Sequence, residues 1–358
     1  MRIEVLGHED RYSIQQIADL FFTPEADLTI SSVYDGKGKL YTKASFGGKS
    51  AEEVYSATHD DDKAWKHAVK QATYTVMKRL IEKDTPWGIL TGIRPTKFCR
   101  MMHETLSYSQ IRQKLIEEFH VSPAKADICL SVTKTSQALI DSMKKTDIGL
   151  YIGVPFCPTR CAYCSFVSES AVRHKNILPA YTNAIVKELY AMGDLAARHG
   201  LTLRSLYVGG GTPTTLGIDG LSRVLEAAFQ SFSMTPGIEL TVEAGRPDTL
   251  DKAMLLALQA AGVSRLCINP QTMNDATLQR IGRAHTARHV EQAFYEARAV
   301  GFRNINADII AGLPKETFEQ FQITLSAIEA LAPEGLTVHT MYLKRASRLS
   351  KEHAWEES

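Results

Sequence analysis

The chain has 358 residues, of which 44% are hydrophobic and 23% are charged, a composition typical of globular proteins. Because this length exceeds one ordinary domain, two domains are expected. The 41 basic and 40 acidic residues nearly cancel, which argues against nucleic acid or an anionic membrane as a partner. The start MRIEVLGHEDRYSIQQ lacks a signal-peptide pattern, and no apolar run approaches the about eighteen residues of a membrane span. We therefore expect a cytoplasmic protein.

The sequence patterns of residues 1–145 predict a smaller α+β domain, and they do not indicate its role. Alternating apolar residues mark the strands, and apolar residues three or four positions apart mark the helices. The patterns predict a strand at 2–6, a helix at 14–22, a hairpin with strands at 28–34 and 40–46, a helix at 62–82 and about three helices between 95 and 145. Cys99 and Cys129 fall in these helices, where free cysteine is expected to act as a small packing residue.

From residue 146 the pattern changes to short apolar runs separated by segments long enough for a helix. The runs lie at 150–154, 206–208, 239–242, 265–268, 305–310 and 336–343. Six such βα units predict a parallel sheet, either curled into a barrel or open and doubly wound. In both arrangements the reactive groups gather at the carboxyl ends of the strands. We assign residues 146–345 to this domain and 346–358 to a C-terminal tail.

The loop after the first predicted strand, GVPFCPTRCAYCSF, contains Cys157, Cys161 and Cys164. Three thiolates in one loop suit a [4Fe-4S] cluster whose fourth iron has no protein ligand. The alternative is a structural zinc site, but no fourth ligand is evident and the next histidine is His174. Core thiols or a disulfide fit less well, because such a loop is hard to bury and the expected compartment is reducing.

Other distinctive residues also follow predicted strands. GGGTP, at 209–213, follows the second strand, Glu243 ends the third, Asn269–Gln271 follow the fourth, and Asp308 lies on the fifth. Glycines let a backbone approach a ligand closely and expose its amides, and Thr212 adds a hydroxyl. A triple glycine alone is equally typical of an ordinary turn. Its position one βα unit after the cysteines favours a ligand site.

Three further features have two interpretations each. Glu243 can accept hydrogen bonds from both hydroxyls of a ribose, or it can pair with Arg246. His285 and His289 have the i, i+4 spacing of metal ligands, but without a third ligand they indicate a helix start. Cys267 lies within an apolar run and is interpreted as a core residue rather than a cluster ligand.

Together these motifs resemble the radical S-adenosylmethionine (SAM) superfamily and, within it, the oxygen-independent coproporphyrinogen III oxidase group. The resemblance covers residues 149 to about 343 and lies in the stretches LYIGVPFCPTRCAYCSF, LYVGGGTPTTL, LTVEAGRPDTL, GVSRLCINPQTMND, LQRIGRAHTA and INADIIAGLPKET. The form GVPFC and the N-terminal segment PWGILTGIRPTK resemble the HemZ-like branch. The resemblance implies an α/β fold: a partial (βα)6 parallel barrel of the radical SAM type, preceded by the smaller N-terminal domain.

The resemblance also implies cofactors and the residues that bind them. Cys157, Cys161 and Cys164 would bind the [4Fe-4S] cluster, with SAM on its open iron. Arg283 would pair with the methionine carboxylate, and Tyr151 is the one candidate catalytic side chain beyond the cluster. The implied SAM contacts are Tyr151, Tyr163, Gly210, Gly211, Thr212, Glu243, Gln271, Arg283 and Asp308.

The implied reaction is oxidative decarboxylation of coproporphyrinogen III propionates to give protoporphyrinogen IX in haem biosynthesis. It uses a 5′-deoxyadenosyl radical and needs an electron donor such as a flavodoxin or ferredoxin. Arg160, Arg173 and His174 are candidate partners for the carboxylates of this tetrapyrrole substrate. No nucleic acid or membrane partner is expected.

The chain departs from the resembling group at several positions. Phe166 and Gly153 replace a cysteine and a histidine of well-characterised members, and Asn269-Pro270 replaces the usual small pair before Gln271. Phe166 favours an alternative, a haem-binding trafficking protein on the same scaffold. In the resembling proteins a further region follows the sixth strand, and we expect that region to be absent after KRASRLSKEHAWEES.

Overall fold

The computed structural model describes residues 1–58, 61–344 and 347–351. The chain divides into two compact units, Met1–Met143 and Lys144–Ser358. Of the predicted tail, residues 346 and 352–358 lie outside the described residues. Within the described residues, no helix has the length and apolar character that crossing a membrane requires.

In its described residues, 1–58 and 61–143, the first unit combines one sheet with five helices. The sheet has the order β1-β2-β3-β4, with β1 parallel to β2 and the other neighbours antiparallel. Its strands are β1 (Arg2–Leu6), β2 (Thr29–Tyr34), β3 (Lys39–Phe46) and β4 (Lys49–Ser56). Its helices are α1 (Arg11–Ala18), α2 (Asp62–Ile81), α3 (Pro95–His103), α4 (Tyr108–Glu117) and α5 (Pro123–Asp141).

The predicted hairpin of the first unit is present as β2 and β3, but the sequence patterns missed β4. Five of the eight residues of KSAEEVYS are exposed and the other three are only half-buried, so the strand has no continuous apolar signal. Helix α2 packs its buried side, including Val69 and Val76, into one core with Ile30 and Leu40 of the sheet. Cys99 and Cys129 are both buried, with their sulfur atoms 3.3 Å apart.

The second unit contains a six-stranded parallel sheet of order β5-β8-β9-β10-β11-β12, as predicted. Its strands, with the short pair β6 and β7, are β5 (Asp147–Val154), β6 (Phe156–Cys157), β7 (Glu169–Ser170), β8 (Thr202–Gly210), β9 (Met234–Glu243), β10 (Arg265–Cys267), β11 (Ile305–Ala311) and β12 (Gly335–Thr340). Its helices are α6 (Leu178–Arg198), α7 (Gly217–Ser231), α8 (Lys252–Ala260), α9 (Asp275–Arg280), α10 (Ala287–Val300), α11 (Phe318–Leu331) and α12 (Arg348–Lys351). The strand order follows the chain without reversal, as in the wall of a (βα) barrel and unlike a doubly wound sheet.

Several helices of this unit begin at a side chain that accepts a hydrogen bond from the backbone of the first turn. Asp251 caps α8, Asn274 caps α9, Thr286 caps α10 and Thr317 caps α11. Each cap satisfies one of the amide groups that the first turn leaves without a partner. Local sequence therefore fixes where the strand-to-helix loops end.

The two faces of the parallel sheet differ in polarity. Side chains such as Val208, Val242 and Ile309 form one core with Leu225 and Phe294 of the helices. Because strand residues alternate between faces, their neighbours point the other way. Read across the paired strands, this second face presents Tyr151, Tyr207, Thr241, Glu243, Cys267, Asn306, Asp308 and His339. The sheet thus places a polar strip on the side away from its helices.

Candidate functional site

The cysteine loop begins directly after β5. Its first residues, in β6, pair with β7, and the Ala171 amide donates to the Cys157 carbonyl at 2.9 Å. A tight turn follows, in which the Cys164 amide donates to the Cys161 carbonyl at 3.2 Å. Cys161 is buried, while Cys157 and Cys164 are half-buried. One short loop thus carries all three thiols.

The glycine-rich turn after β8 holds the start of this loop. The Gly211 amide donates to the Val154 carbonyl at 2.7 Å, and the Thr212 amide donates to the Phe156 carbonyl at 2.7 Å. The Thr212 hydroxyl lies 3.6 Å from Cys157 Sγ. These amides are therefore occupied within the protein. In this structure the turn positions the cysteine loop, and the amides of Gly211 and Thr212 are not free to donate to a ligand.

A second contact to the cysteine loop comes from the turn after α9. The Ala162 amide donates to the Ile281 carbonyl at 2.9 Å, and the Thr159 hydroxyl donates to the Gly282 carbonyl at 2.8 Å. Gly282 has a φ of +78°, and a Cβ there would lie 3.2 Å from the Arg160 carbonyl oxygen. Glycine is favoured at this turn by its backbone angle and by the close approach.

The third contact is a buried guanidinium. Arg246, which is 3% exposed, donates from Nη1 to Thr159 Oγ1 at 3.0 Å and from Nη2 to the Thr159 carbonyl at 2.5 Å. Its Nη2 also lies 3.3 Å from Cys161 Sγ. Among the described residues Arg246 forms no ion pair with Glu243, so that alternative is not observed. Arg246 is instead the side chain that fixes the centre of the cysteine loop.

The pKa values of two thiols in the loop are shifted in opposite directions. Burial by itself raises the pKa of Cys161, but the guanidinium groups of Arg283 and Arg246 outweigh it, and the pKa lies below its ordinary value. Burial raises the pKa of Cys164, and negative charge on Cys161 and Cys157 raises it further. Cys161 is therefore the thiol whose ionised form the protein environment favours, and thiolates are the form that binds metal.

The chemistry of the loop fits an iron-sulfur cluster. Its donors are three thiols, the ligand type that such clusters use. A Cβ added at Gly211 would lie 3.0 Å from Cys157 Sγ and 2.6 Å from the Phe156 carbonyl oxygen, so a larger residue would crowd the cysteine. As they stand, no three His, Cys, Asp or Glu side chains in the described residues are grouped to hold a metal ion.

Beside the loop, the carboxylate of Glu243 is held at the end of β9. The Tyr207 hydroxyl donates to its Oε1 at 2.5 Å and the Gly210 amide to its Oε2 at 3.2 Å. Burial raises the pKa of Glu243. The ring of Tyr151 stacks on Tyr207 with centroids 5.7 Å apart. Sequence reasoning missed Tyr207; its place in SLYVGGG, alternating with core residues and paired with Tyr151, is the signal that would have identified it.

The two terminal nitrogens of Arg283 form hydrogen bonds within the protein. Its Nη1 donates to the carbonyls of Gly245 at 3.1 Å and Asn269 at 2.6 Å, and its Nη2 donates to the Tyr163 hydroxyl at 3.3 Å. Within the described residues, the buried Nε has no hydrogen-bond partner. In this structure Arg283 ties together the loops after β9 and β10.

Gln271 and Asp308 meet where β11 passes the loop after β10. The Gln271 amide donates to the Asp308 carbonyl and its carbonyl accepts from the Ile310 amide, both at 2.9 Å. Gln271 is buried with a φ of +68°, a costly conformation for a residue other than glycine. The Asp308 carboxylate accepts from Asn306 at 2.8 Å and lies 4.0 Å from His339 Nε2. It is half-buried and faces the polar strip.

The two histidines after the GR motif do not share a helix face. His289 lies in the first turn of α10, where it forms a capping box with Thr286. His285 precedes that helix and is buried, with Nδ1 3.7 Å from an Asp248 oxygen. Burial lowers the pKa of His285. The helix-start interpretation therefore describes this segment, while Cys267 is buried as predicted.

Comparison with known proteins identifies the family. The model of the radical SAM superfamily matches residues 151–328. The chain is 32% identical to the oxygen-independent coproporphyrinogen-III oxidase-like protein HemZ of Bacillus subtilis (strain 168), over 98% of this chain and 75% of that protein. The chain belongs to the radical SAM superfamily. Membership implies a [4Fe-4S] cluster and SAM.

Two further relatives show how far the resemblance extends. The heme chaperone HemW of Bacillus subtilis (strain 168) is 31% identical over 54% of this chain and 50% of that protein. The structure of coproporphyrinogen III oxidase (HemN) from Escherichia coli matches with a TM-score of 0.54 and 26% identity, over 62% of this chain and 50% of that chain. The chain thus spans three quarters of the HemZ relative but about half of the other two. Oxidase-like and chaperone relatives share this core.

Proposed function

We propose that this chain is a radical SAM enzyme that converts two propionate side chains of coproporphyrinogen III to vinyl groups, giving protoporphyrinogen IX. The observation that carries the proposal is the 32% identity to a coproporphyrinogen-III oxidase-like protein over 98% of the chain. That match includes the N-terminal unit as well as the parallel-sheet unit. Similarity confined to the cluster-binding core would support only the chemistry that all family members share.

In this proposal Cys157, Cys161 and Cys164 hold the cluster and leave one iron for the amino and carboxylate groups of SAM. When bound and reduced, this pair of cofactors supplies a 5′-deoxyadenosyl radical. Arg246 keeps the loop in shape through its contacts to Thr159 and Cys161. The protein would thereby fix the loop that holds the cluster.

Glu243 is proposed to accept hydrogen bonds from the ribose hydroxyls of SAM. Its two oxygens are fixed by Tyr207 and Gly210, and each oxygen retains a further lone pair for a ligand hydroxyl. Asp308, held by Asn306 on the same face of the sheet, is proposed to contact the adenosyl portion. Tyr151 and Tyr163 would add aromatic surface to this site.

For the remaining residues that the family resemblance assigns to SAM binding, we propose roles other than direct hydrogen bonds. The amides of Gly210, Gly211 and Thr212 are occupied, so these residues are proposed to shape the pocket through close approach. Gln271 is proposed to act through its fixed backbone at the strand end. Arg283 is proposed to be a positioning residue, because its Nη donors hold loop carbonyls and Tyr163.

The surface beside the cysteine loop offers contacts for a tetrapyrrole. Phe166, Val167 and Val172 follow the cysteine motif closely in sequence and are 66%, 87% and 75% exposed, and exposed apolar side chains suit contact with the macrocycle. Arg160 and Arg173 are exposed nearby in the sequence and are proposed to bind propionates. The bound cofactors would supply the hydrogen-atom abstraction at the propionate β-carbon that each decarboxylation needs. The bond to the carboxylate then breaks, carbon dioxide leaves, and one electron passes to an external acceptor.

The test is anaerobic reconstitution of the cluster, followed by reduction with dithionite or a flavodoxin and addition of SAM and coproporphyrinogen III. We expect deoxyadenosine to form in proportion to substrate loss. Cys157→Ala should abolish the visible absorption of the cluster and the cleavage of SAM. Cys267→Ala, which removes a buried thiol outside the loop, is the matched control and should retain the absorption. Deoxyadenosine formed without loss of substrate would contradict the proposed reaction.

A second candidate function is haem binding for trafficking. It is favoured by the 31% identity to a heme chaperone and by Phe166, which stands where well-characterised oxidases of the resembling group have a cysteine. This function predicts one haem bound per chain and no protoporphyrinogen from coproporphyrinogen III. A haemin titration run beside the coupled assay separates the two functions.

A further inference from the structure

The first unit contains a cavity that no part of the proposed reaction uses. It has a volume of about 740 Å³ and lies between the end of β4, helix α2, the segment 89–93 and helices α3 and α4. Pockets that bind small molecules commonly enclose about 300–1,000 Å³. The cavity is therefore large enough for a metabolite or cofactor of substantial size.

The walls of this cavity are mainly apolar and carry three rings in contact. Phe98 and Phe119 have ring centroids 5.0 Å apart at 77°, and His67 and Phe119 have centroids 5.0 Å apart at 68°. Two small side chains of α2, Ala64 and Ala68, line the same cavity. Aromatic rings beside open space suit a flat, conjugated ligand, which they contact by stacking or edge-to-face packing.

The charged residues that line the cavity are mostly basic. Four lysines and one glutamate contribute to the lining: Lys63, Lys66, Lys70, Lys114 and Glu118. Lys66 pairs with Asp62 at 2.7 Å, and Lys114 pairs with Glu118. The excess of positive charge favours a ligand that carries anionic groups.

Lys70 is the lysine best placed to receive such a group. It is half-buried, and burial lowers its pKa. Its Nζ donates to Thr91 Oγ1 at 2.7 Å, and within the described residues it forms no ion pair with a carboxylate. A carboxylate from a ligand would provide the opposite charge at a site where solvent screening is reduced.

We propose that this cavity binds a tetrapyrrole carboxylate, with the ring against Phe98 and Phe119 and one propionate on Lys70. The choice of a tetrapyrrole rests on the proposed function, whereas the shape, aromatic wall and charge belong to the first unit alone. A long-chain fatty acid shares the combination of an apolar body with a carboxylate. The cluster of three rings favours the flat ligand over the flexible one.

The test uses the full chain carrying Cys157→Ala, so that binding is measured without cluster or SAM. Coproporphyrin III is titrated and its fluorescence followed. Ala64→Phe fills the cavity from an exposed position of α2, and Lys70→Met removes the charge. Each substitution should weaken binding about tenfold, the loss expected for one charge-assisted contact or a blocked pocket. Lys43→Met, an exposed lysine of β3 outside the lining, is the control and should leave binding unchanged.

The outcomes separate this inference from the proposed function. Porphyrin binding that Ala64→Phe and Lys70→Met leave unchanged would overturn the assignment of the cavity. Palmitate that displaces the porphyrin and binds more tightly, with loss in the same two variants, would overturn the choice of a tetrapyrrole. Binding that is lost in both variants supports the inference, including in a protein that gives no coupled turnover of coproporphyrinogen III. Failure of turnover contradicts only the proposed reaction.

Discussion

Arg246 links the end of β9 to the centre of the cysteine loop. In the sequence it appears only as an alternative partner for Glu243, three residues earlier. In the structure its guanidinium makes two hydrogen bonds to Thr159 and one contact to Cys161. The planar fork of arginine reaches these separate acceptors at once, whereas the point charge of lysine cannot. Its role therefore depends on its geometry as well as its charge.

Arg246→Lys should weaken the cysteine loop. We expect the free energy of unfolding of the cluster-free protein to fall by about 1.5–3 kcal/mol, because the buried guanidinium loses its charged hydrogen bonds to the Thr159 carbonyl and hydroxyl. After reconstitution, iron content should fall and the EPR signal of the reduced cluster should shift. Urea unfolding and EPR measure these effects. Arg223→Lys, an exposed arginine of α7 bonded to Asn183, is the control; equal behaviour of the two variants would refute the role of Arg246.

Glu243→Gln should raise the stability of the folded protein and weaken its binding of SAM. Burial raises the pKa of Glu243, so its ionised form destabilises the folded protein, and this cost is absent below the pKa of the unfolded chain and grows as pH rises through the folded-state pKa. The substitution removes the charge and keeps the shape of the side chain, and its amide can accept from the Gly210 amide while donating to the Tyr207 hydroxyl. We therefore expect a higher urea midpoint than wild type at neutral pH, with the difference narrowing toward acid pH.

The same substitution should lower SAM affinity about tenfold, since a charged acceptor for the ribose is lost. Equilibrium dialysis of labelled SAM with the reconstituted protein measures this change. Glu226→Gln, an exposed position of α7, is the control. Unchanged SAM affinity in Glu243→Gln would remove Glu243 from the proposed ribose contact.

At the scale of elements, the turn after β8 packs directly against the loop after β5. Gly211→Ala should disturb both, because its Cβ would meet the carbonyl oxygens of Phe156 at 2.6 Å and Val154 at 2.9 Å. Backbone atoms cannot move aside as a side-chain tip can, so we expect a loss of about 1–3 kcal/mol in unfolding free energy.

Gly153→Ala is the matched control for Gly211→Ala. Its Cβ would have one neighbour within reach, the Tyr151 ring at 3.4 Å, which is an ordinary contact. Thermal or urea unfolding of both variants, with iron content after reconstitution, makes the comparison. A Gly211→Ala protein as stable as Gly153→Ala would show that the close packing of the turn is not required.

The sequence patterns predicted the parallel strands and the residues at their ends better than the contacts those residues make. Strands β8 and β9 begin before the predicted apolar runs, because apart from Leu203 the residues before those runs are partly buried or exposed. The order of strands follows from short βα connections. By contrast, the partners of Arg283 come from the loops after β9 and β10 and from Tyr163. Such contacts depend on three-dimensional packing between distant segments and leave no periodic signal.

At the scale of the whole molecule, each unit has its own core and its own titrating groups. In the first unit burial lowers the pKa of both His67 and His120. A buried neutral histidine stabilises the fold above the ordinary pKa of about 6.5, and this stabilisation is lost as pH falls toward the lower folded-state pKa. The unit should therefore lose stability below about pH 6.5.

We expect the urea midpoint of the first unit, followed by the fluorescence of Trp65 and Trp87 in a Trp355→Phe background, to fall between about pH 7.5 and about pH 5.5. His120→Asn should reduce this change, because asparagine does not titrate and tolerates the φ of +56° found there. His199→Asn, at an exposed site in the second unit, serves as control. A pH profile unaltered by His120→Asn would exclude that histidine as a source of the effect.

The supports of the cysteine loop have a consequence for how the protein is made. Thr159 bonds to Gly282, 123 residues further along the chain, and the Ala162 carbonyl accepts from the Leu349 amide. Contacts of such long sequence separation form late in folding. During synthesis the three thiols therefore leave the ribosome well before the segments that enclose them. Until those segments have emerged, the cysteines are open to oxidation and to other metals, so cluster insertion should follow their synthesis.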